Sequence, residues 1–373
     1  MPTLEHANAS TAQTWNRLKI NEIAFDVPEA ESISKPAALP VRAAEPATVR
    51  AMDPGELPAE FAGIETGIGE EAAAWTDAAA SQVALVEVPE GAELDEPIVV
   101  DLAAKDVAAS TAIVLGARSA ATVVVIADSE DPDVDVTSSI VRLVVGDGAK
   151  VDIFEIVALP DTHGHMEGFG IEVGDGATVS VRQYSLSAGT SIVGLACNMA
   201  GAESRFDLQL HYLGRGEQRI DINHLVRMRG CNTRARIDES GVLSDSSHKT
   251  LRATIDLIRG GKGAKGREQE TVVVTGDDVV SKTLPVILCN EDDVQGDHGA
   301  TIGSMSAEQL AYMHDRGLTT EQAEELFERA VVDEAVIHAP TKRAHDVALE
   351  AARMLFGQDA VDEIADAMDR SWS

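Results

Sequence analysis

Two stretches, LVVGDGAKVDIFEI (residues 143–156) and IEVGDGATVSVRQY (171–184), carry the same pattern, and their GDGA cores begin at 146 and 174, 28 residues apart. A β-rich unit repeated at such a period cannot bury its apolar face alone, so successive units must stack. In the same register Ala121 stands 28 residues before Ala149, and related runs occur upstream (EGAELDEPIVV) and downstream (GAESRFDLQL). The apolar residues after the turn are Leu94, Val123, Val151, Val179 and Phe206, in steps of 29, 28, 28 and 27. The spacing predicts a parallel β-helix with Val123, Val151 and Val179 stacked in successive rungs. Each rung leaves strand edges that the next one satisfies. A β-sandwich also has many short strands, but nothing in it requires a fixed recurrence.

Composition agrees with this reading. Apolar residues make up 44% of the 373-residue chain but aromatics only 3%, which suits a narrow interior of stacked Val, Ile, Leu and Ala. The formal net charge of -33 repels phosphate backbones and anionic lipid, so neither nucleic acid nor membrane is expected as a partner. The three cysteines, Cys197, Cys231 and Cys289, are widely spaced and form no CxxC pair, so neither a structural zinc site nor a disulfide framework is indicated. The first residues lack the apolar core of a signal peptide and no run reaches 18 apolar residues, so the expected location is the cytoplasm.

Three regions are expected: an irregular and helical N-terminal region (1–80), a β-helix core (81–303) and a C-terminal helical domain (304–373). Prolines at 28, 36, 40, 46, 54 and 58 forbid a long helix over 27–75, which reads as loosely ordered or extended, with a short helix near 69–80. Beyond Gly303, Ser306-Ala-Glu-Gln309 fits a capping box with Gly317 as a stop, and Thr319-Thr-Glu-Gln322 starts a second helix to about 335. Val347, Ala351, Met354 and Leu355 place a third over about 341–370.

Chemistry-bearing candidates are few. GGKGAKG (260–266) fails the phosphate-loop pattern and reads as a hairpin or inter-rung loop. DTHGHMEG (161–168) groups Asp161, His163, His165 and Glu167, but its flanking Pro160 and Gly168 favour a solvated loop over a metal site. His224 and His248 read as satisfied sheet histidines. His298, framed by glycines in GDHGATIG (296–303) beside Asp297, stands where the β body gives way to helices. It is either a soft-metal or cluster ligand or a residue that pins the junction by hydrogen bonds. No catalytic constellation is present, and nothing demands an enzyme.

The stretch VSKTLPVILCNEDDVQGDHGATIGSMSAEQLAYMHDRGLTTEQAEELF (280–327) resembles the C-terminal signature of the SufB/SufD family, the scaffold subunits of the SUF iron–sulfur cluster assembly machine. The resemblance is carried by Pro285, Asp293-Val294, His298-Gly-Ala-Thr301, Leu310, Tyr312 and Arg316-Gly317. NHLVRMRGCNTRARIDESGVLSDSSHKTLRATIDLIRGGKGAKGREQ and TWNRLKINEI (14–23) are similar to family segments more weakly. It implies a right-handed parallel β-helix between helical segments, pairing with a SufB-type paralogue through the β-helices, and a SufC-type ABC ATPase docked on the C-terminal helices. Ser281 stands where SufB-type chains carry the cysteine of CHTxP, and Gly299 where they carry the second glutamate of EHEAT, so the chain resembles the SufD type. Gly296 and Ala311 replace a cysteine and a phenylalanine found in relatives. The resemblance makes His298 the residue that lends an imidazole to a nascent cluster, transient and shared with the partner; a homodimer in isolation is also allowed. The competing reading, a secreted-type carbohydrate-active β-helix, needs an aromatic-lined groove and export, which the composition opposes. A self-associating β-helix with no cluster role is the remaining alternative.

Overall fold

The computed structural model describes residues 2–33, 39–102, 107–128 and 135–371; 34–38, with Pro36, lie outside them. An N-terminal hairpin, β1 (Thr3–Ala7) and β2 (Ile23–Asp26), precedes a solenoid of about seven turns built from two nine-stranded sheets. The first sheet runs from β3 (Val41–Arg42) through β6 (Ile98–Leu102), β8 (Ala120–Ala127), β10 (Lys150–Ala158) and β12 (Thr178–Ser187). It continues through β14 (Arg205–Gly214), β16 (Arg234–Leu243) and β18 (Lys265–Val274) to β20 (Gln295–Gly303). The second starts with β4 (Thr48–Met52), β5 (Val83–Val88), β7 (Ala108–Leu115), β9 (Val136–Val145) and β11 (Gly164–Val173). It ends with β13 (Thr190–Met199), β15 (Arg219–Met228), β17 (His248–Leu257) and β19 (Val280–Cys289). The short β3 and β4 pair antiparallel with β6 and β5; the remaining neighbours are parallel. One repeat therefore holds two strands, one for each sheet.

The stacking expected from the period is present, with one phase error. Val151 pairs with Val179, and Val179 with Phe206. Val123 lies in the same sheet but pairs with Ile153, while Ala121 pairs with Val151. The turn explains the slip. Its third residue is left-handed throughout: Arg118 (φ 58°), Gly148 (66°), Gly176 (63°), Glu203 (58°) and Asn232 (58°). GARS at 116–119 is thus the counterpart of GDGA at 146–149, two residues out of the 28-residue register, and carries arginine where glycine is the usual residue. An aspartate ladder joins these turns: Asp147 accepts from the Asp175 amide at 2.9 Å, and Asp175 from the Ala202 amide at 2.7 Å. Residues 260–264 of the GGKGAKG segment lie in the turn between β17 and β18, and Lys265 and Gly266 begin β18.

Both outer faces are covered. Helix α1 (Glu70–Ala80) and the N-terminal hairpin lie on the second sheet, packing Phe25, Ile68 and Trp75 with Val136, Ile140, Met166 and Ile192. Ahead of the stretch expected to be loose, Asn8 and Ile20 are anchored on the second sheet. The buried Arg252 guanidinium holds Asp221 at 2.7 and 2.9 Å and the Ile20 carbonyl at 2.5 Å, and Asn8 donates to Asp221 at 2.7 Å. At Gly67 (φ 82°) the chain crosses β13 so closely that a Cβ would lie 2.1 Å from the Leu195 nitrogen.

On the first sheet lie the C-terminal helices. Helix α2 (Ala307–Asp315) and α3 (Thr320–His338) begin with the expected capping boxes at Ser306 and Thr319. The third expected helix is broken into α4 (Lys342–Phe356) and α5 (Gln358–Ser371) by Gly357, whose φ of 85° ends the first piece. Val332, Ala335, Val347 and Ala351 pack on Val124, Ile126, Phe154, Ile156 and Tyr184. Helices α3, α4 and α5 therefore cover a strongly apolar sheet face.

Candidate functional site

Side chains alternate along a strand, so every second residue points between the two sheets. Most such positions are Val, Ile or Leu, but two zones of the interior are polar.

The first zone lies at the open end. β19 and β20 are the last strands of their sheets, and among the described residues no strand lies beyond them. His298 is on β20, exposed, directly over Glu268 of β18. Asp297 points the opposite way and receives the Gln295 amide at 2.9 Å. The carboxylate stacked under the imidazole is therefore Glu268, not the neighbour in sequence. Glu268 is 2% exposed, and its carboxyl lies beside the Glu239 carboxyl and the Gly299 backbone amide. Burial, reinforced by Glu239 and Glu270, pushes its carboxyl up to about 9.

Glu270, two residues on, is fully enclosed. It accepts from Lys249 Nζ at 2.5 Å, Thr283 Oγ1 at 2.6 Å and Tyr212 OH at 2.9 Å, and Lys249 also donates to Thr283 at 2.8 Å. Burial lowers the Lys249 ammonium, against the pull of Glu270. Glu239, the rung neighbour of Glu270, meets His224 Nδ1 at 2.8 Å. Burial drives the Glu239 carboxyl up to about 8 and the His224 imidazole down to about 3. His224 is thus a buried sheet histidine with one satisfied nitrogen, its Nε2 having no hydrogen-bond partner among the described residues. His248, by contrast, is exposed at the start of β17.

Ser281 begins β19 in the opposite sheet from His298, stacked on Lys249. A Cβ at Gly299 would meet nothing within 4 Å, whereas one at Gly296 would touch Leu257 and Ile287. Cys289 ends β19, exposed; Cys231 is exposed in a turn; Cys197 is buried inside β13, where burial raises its thiol. Ala311 and Tyr312 lie on α2, none of whose residues is buried.

The second zone lies mid-solenoid and overturns the expected solvated loop. Only 161–163 turn; Gly164–Val173 is β11, and His165 and Glu167 are both 0% exposed between the sheets. Asp161 lies outside, accepting from Gln218 at 2.5 Å, and His163 is buried beside the turn. From the facing sheet comes Glu155 of β10, and one ligand atom each from Glu155, His165 and Glu167 fall within 4.8 Å of one another. Sequence spacing could not reveal Glu155, because it reaches the group across the interior. Burial pushes Glu155 up to about 8 and, with the Glu155 charge, Glu167 well above the usual range; it drops His165 to about 3.

Comparison with known proteins follows the same line. The profile of the family described as SUF system FeS cluster assembly, SufBD core domain, matches residues 99–331. The chain is 26% identical over 162 residues to the iron–sulfur cluster assembly protein SufD of Bacillus subtilis, covering 42% of this chain and 37% of that protein. It is 26% identical over 162 residues to a SufBD family protein of Pyrococcus horikoshii (43% and 36%) and 23% identical over 186 residues to one of Trieres chinensis (50% and 37%). The chain thus spans little more than a third of the length of these relatives. Among the described residues no helix is long and apolar enough to cross a membrane.

Proposed function

The chain belongs to the SufB/SufD family of the SUF iron–sulfur cluster assembly system, and on that premise we propose that it is the SufD-type scaffold subunit, non-catalytic itself, which lends His298 to a cluster assembled against a partner. The observation that carries this reading is the placement of His298: exposed on a terminal strand, stacked above the enclosed carboxyl of Glu268. Strand edges left unpaired invite a second chain. On this reading a SufB-type paralogue adds its own β-helix at β19 and β20, and the cluster is the cargo built at that seam. Imidazole is a competent iron ligand, and a thiolate from the paralogue completes the set. Glu268 beneath accepts a proton or a hydrogen bond from the far side of the imidazole, orienting it.

The ABC ATPase is assigned to the α2–α3 face, where Tyr312 and Leu326 stand 54% and 41% exposed. On this reading its ATP hydrolysis supplies the work of assembly.

The test is anaerobic purification of the complex with its paralogue and ATPase, wild type against His298→Ala, with iron and acid-labile sulfide measured per complex. The expected result is an assembled complex that has lost most of its iron and sulfide. Equal cluster content in both would make His298 a structural junction residue.

A further inference from the structure

We propose that Glu155, His165 and Glu167 form a site for one divalent first-row transition cation, bound inside the solenoid between its two sheets. The site is independent of the terminal rung and of the cluster proposed there.

The geometry meets what such an ion requires. The three ligand atoms lie within 4.8 Å of one another, the spacing of donors around a common centre. They come from both sheets, Glu155 from β10 and the other two from β11, so an ion among them joins the walls of the solenoid. His165 Nδ1 is 2.8 Å from Thr137 Oγ1, which leaves Nε2 facing Glu167 Oε2 at 3.3 Å. An imidazole held through one nitrogen with the other turned to the centre is the usual arrangement of a metal-binding histidine. Gln183 donates to Glu155 Oε2 at 2.5 Å and so fixes the second carboxylate.

An independent observation points to an absent partner. Glu167 is 0% exposed, yet its Oε1 has no hydrogen-bond partner among the described residues, and neither has the Oε1 of Gln183, 1% exposed. Ser139, the rung neighbour of Glu167, sets its hydroxyl against that carboxyl and favours the charged form that a cation needs. Buried polar atoms are nearly always satisfied, and a cluster of unsatisfied ones around two carboxylates calls for a ligand.

Charge and softness select the ion. Two carboxylates and one divalent cation sum to zero, which removes the cost of enclosing either alone. One imidazole and two carboxylates without thiolate disfavour Cu(I), and the imidazole disfavours Mg²⁺ and Ca²⁺; Mn²⁺, Fe²⁺, Co²⁺ and Zn²⁺ fit. The turn just before His165 opens to solvent, for Thr162, His163 and Gly164 line a surface cavity of about 660 Å³.

The test uses the full chain, stripped with chelator, then reloaded with Zn²⁺, Mn²⁺ or Co²⁺ and passed through desalting to remove ions held loosely by the acidic surface. The expected result is about one equivalent retained, a raised melting temperature and, for Co²⁺, visible d–d bands. Glu167→Gln and Glu155→Gln, which keep shape and remove charge, should remain folded by circular dichroism and lose at least about tenfold in affinity; Thr137→Val should lose about 10–100-fold by freeing the imidazole. His298→Ala should retain the ion. Failure of the wild-type chain to hold any of the three ions, or retention by the Glu155→Gln, Glu167→Gln double variant, would overturn the site and leave two protonated acids facing one another. If the glutamine variants do not fold, the wild-type chain read by its Co²⁺ spectrum and by chelator-dependent melting decides the matter alone.

Discussion

Lys249 Nζ and Glu270 Oε1 meet at 2.5 Å with neither side chain exposed, one rung below the open end of the solenoid. An ion pair so placed gives little net stability when intact but costs heavily when halved. Lys249→Met leaves Glu270 enclosed with only two neutral donors and is expected to lower unfolding free energy by about 3–5 kcal/mol. The Lys249→Met, Glu270→Gln double variant should recover most of that loss. Denaturant midpoints for the four members of the cycle check it; a double variant no better than the single would show that packing, not charge, dominates.

Stability should fall as pH rises through neutrality. Glu239 and Glu268 titrate at about 8 and about 9 in the fold, above their unfolded values, so the folded chain holds protons that the unfolded chain has released. Their contribution is complete below the ordinary glutamate range and is lost as pH climbs toward 8–9. His224, lowered to about 3, works oppositely and only below its ordinary 6.5. The decline should therefore be steepest between about pH 6.5 and 8, and Glu268→Gln or Glu239→Gln should each flatten it by roughly one proton. Urea midpoints at pH 6, 7 and 8 measure this; an unchanged slope in both variants would refute it.

The N-terminal segment should depend on a single missing side chain. A Cβ at Gly67 would lie 2.1 Å from backbone of β13, and no neighbouring side chain can yield to relieve it. Gly67→Ala is expected to lift this crossing off the sheet, exposing residues 1–66 to limited proteolysis while the rungs from β13 onward stay protected. Uniform protection would show that the strand can shift to make room.

Docking of the ATPase and support of the first sheet should separate. Tyr312→Ala and Leu326→Ala remove exposed side chains, so they should change stability by less than about 0.5 kcal/mol yet weaken ATPase co-purification. Val332→Asp places a charge against the apolar sheet face and should destabilise the chain outright. Unaltered ATPase binding in the Tyr312, Leu326 double variant would move the docking surface elsewhere.

The strand-and-turn period was legible where glycine marks the left-handed turn position, as at Gly148 and Gly176, and even at Glu203, but it slipped where Arg118 takes that conformation instead. That substitution is why Val123 was placed two residues out of phase. Helix starts were legible because capping boxes are local, and Gly357 was overlooked because the apolar spacing continues past it. The interior polar groups were not legible. Glu155, Glu239, Lys249 and Glu270 occupy inward positions of alternating strands, but a charged residue in an alternating pattern reads as the wet face. Their partners lie on other strands, at separations that no local motif spans. His298 was found by its glycine frame, yet the frame pointed to Asp297, and strand alternation sends that carboxylate the other way.

The stack has a mechanical corollary. Within the two sheets each strand pairs only with its neighbours, so backbone cohesion is a chain of nearest-neighbour couplings, and among the described residues the last strands, β19 and β20, each have a sheet neighbour on one side only. Amide exchange should be fastest there and slow progressively inward. Whatever seats itself on that end inherits the role of a further rung: it quenches the fraying of the segment that carries His298, so recognition and local ordering become one cooperative event.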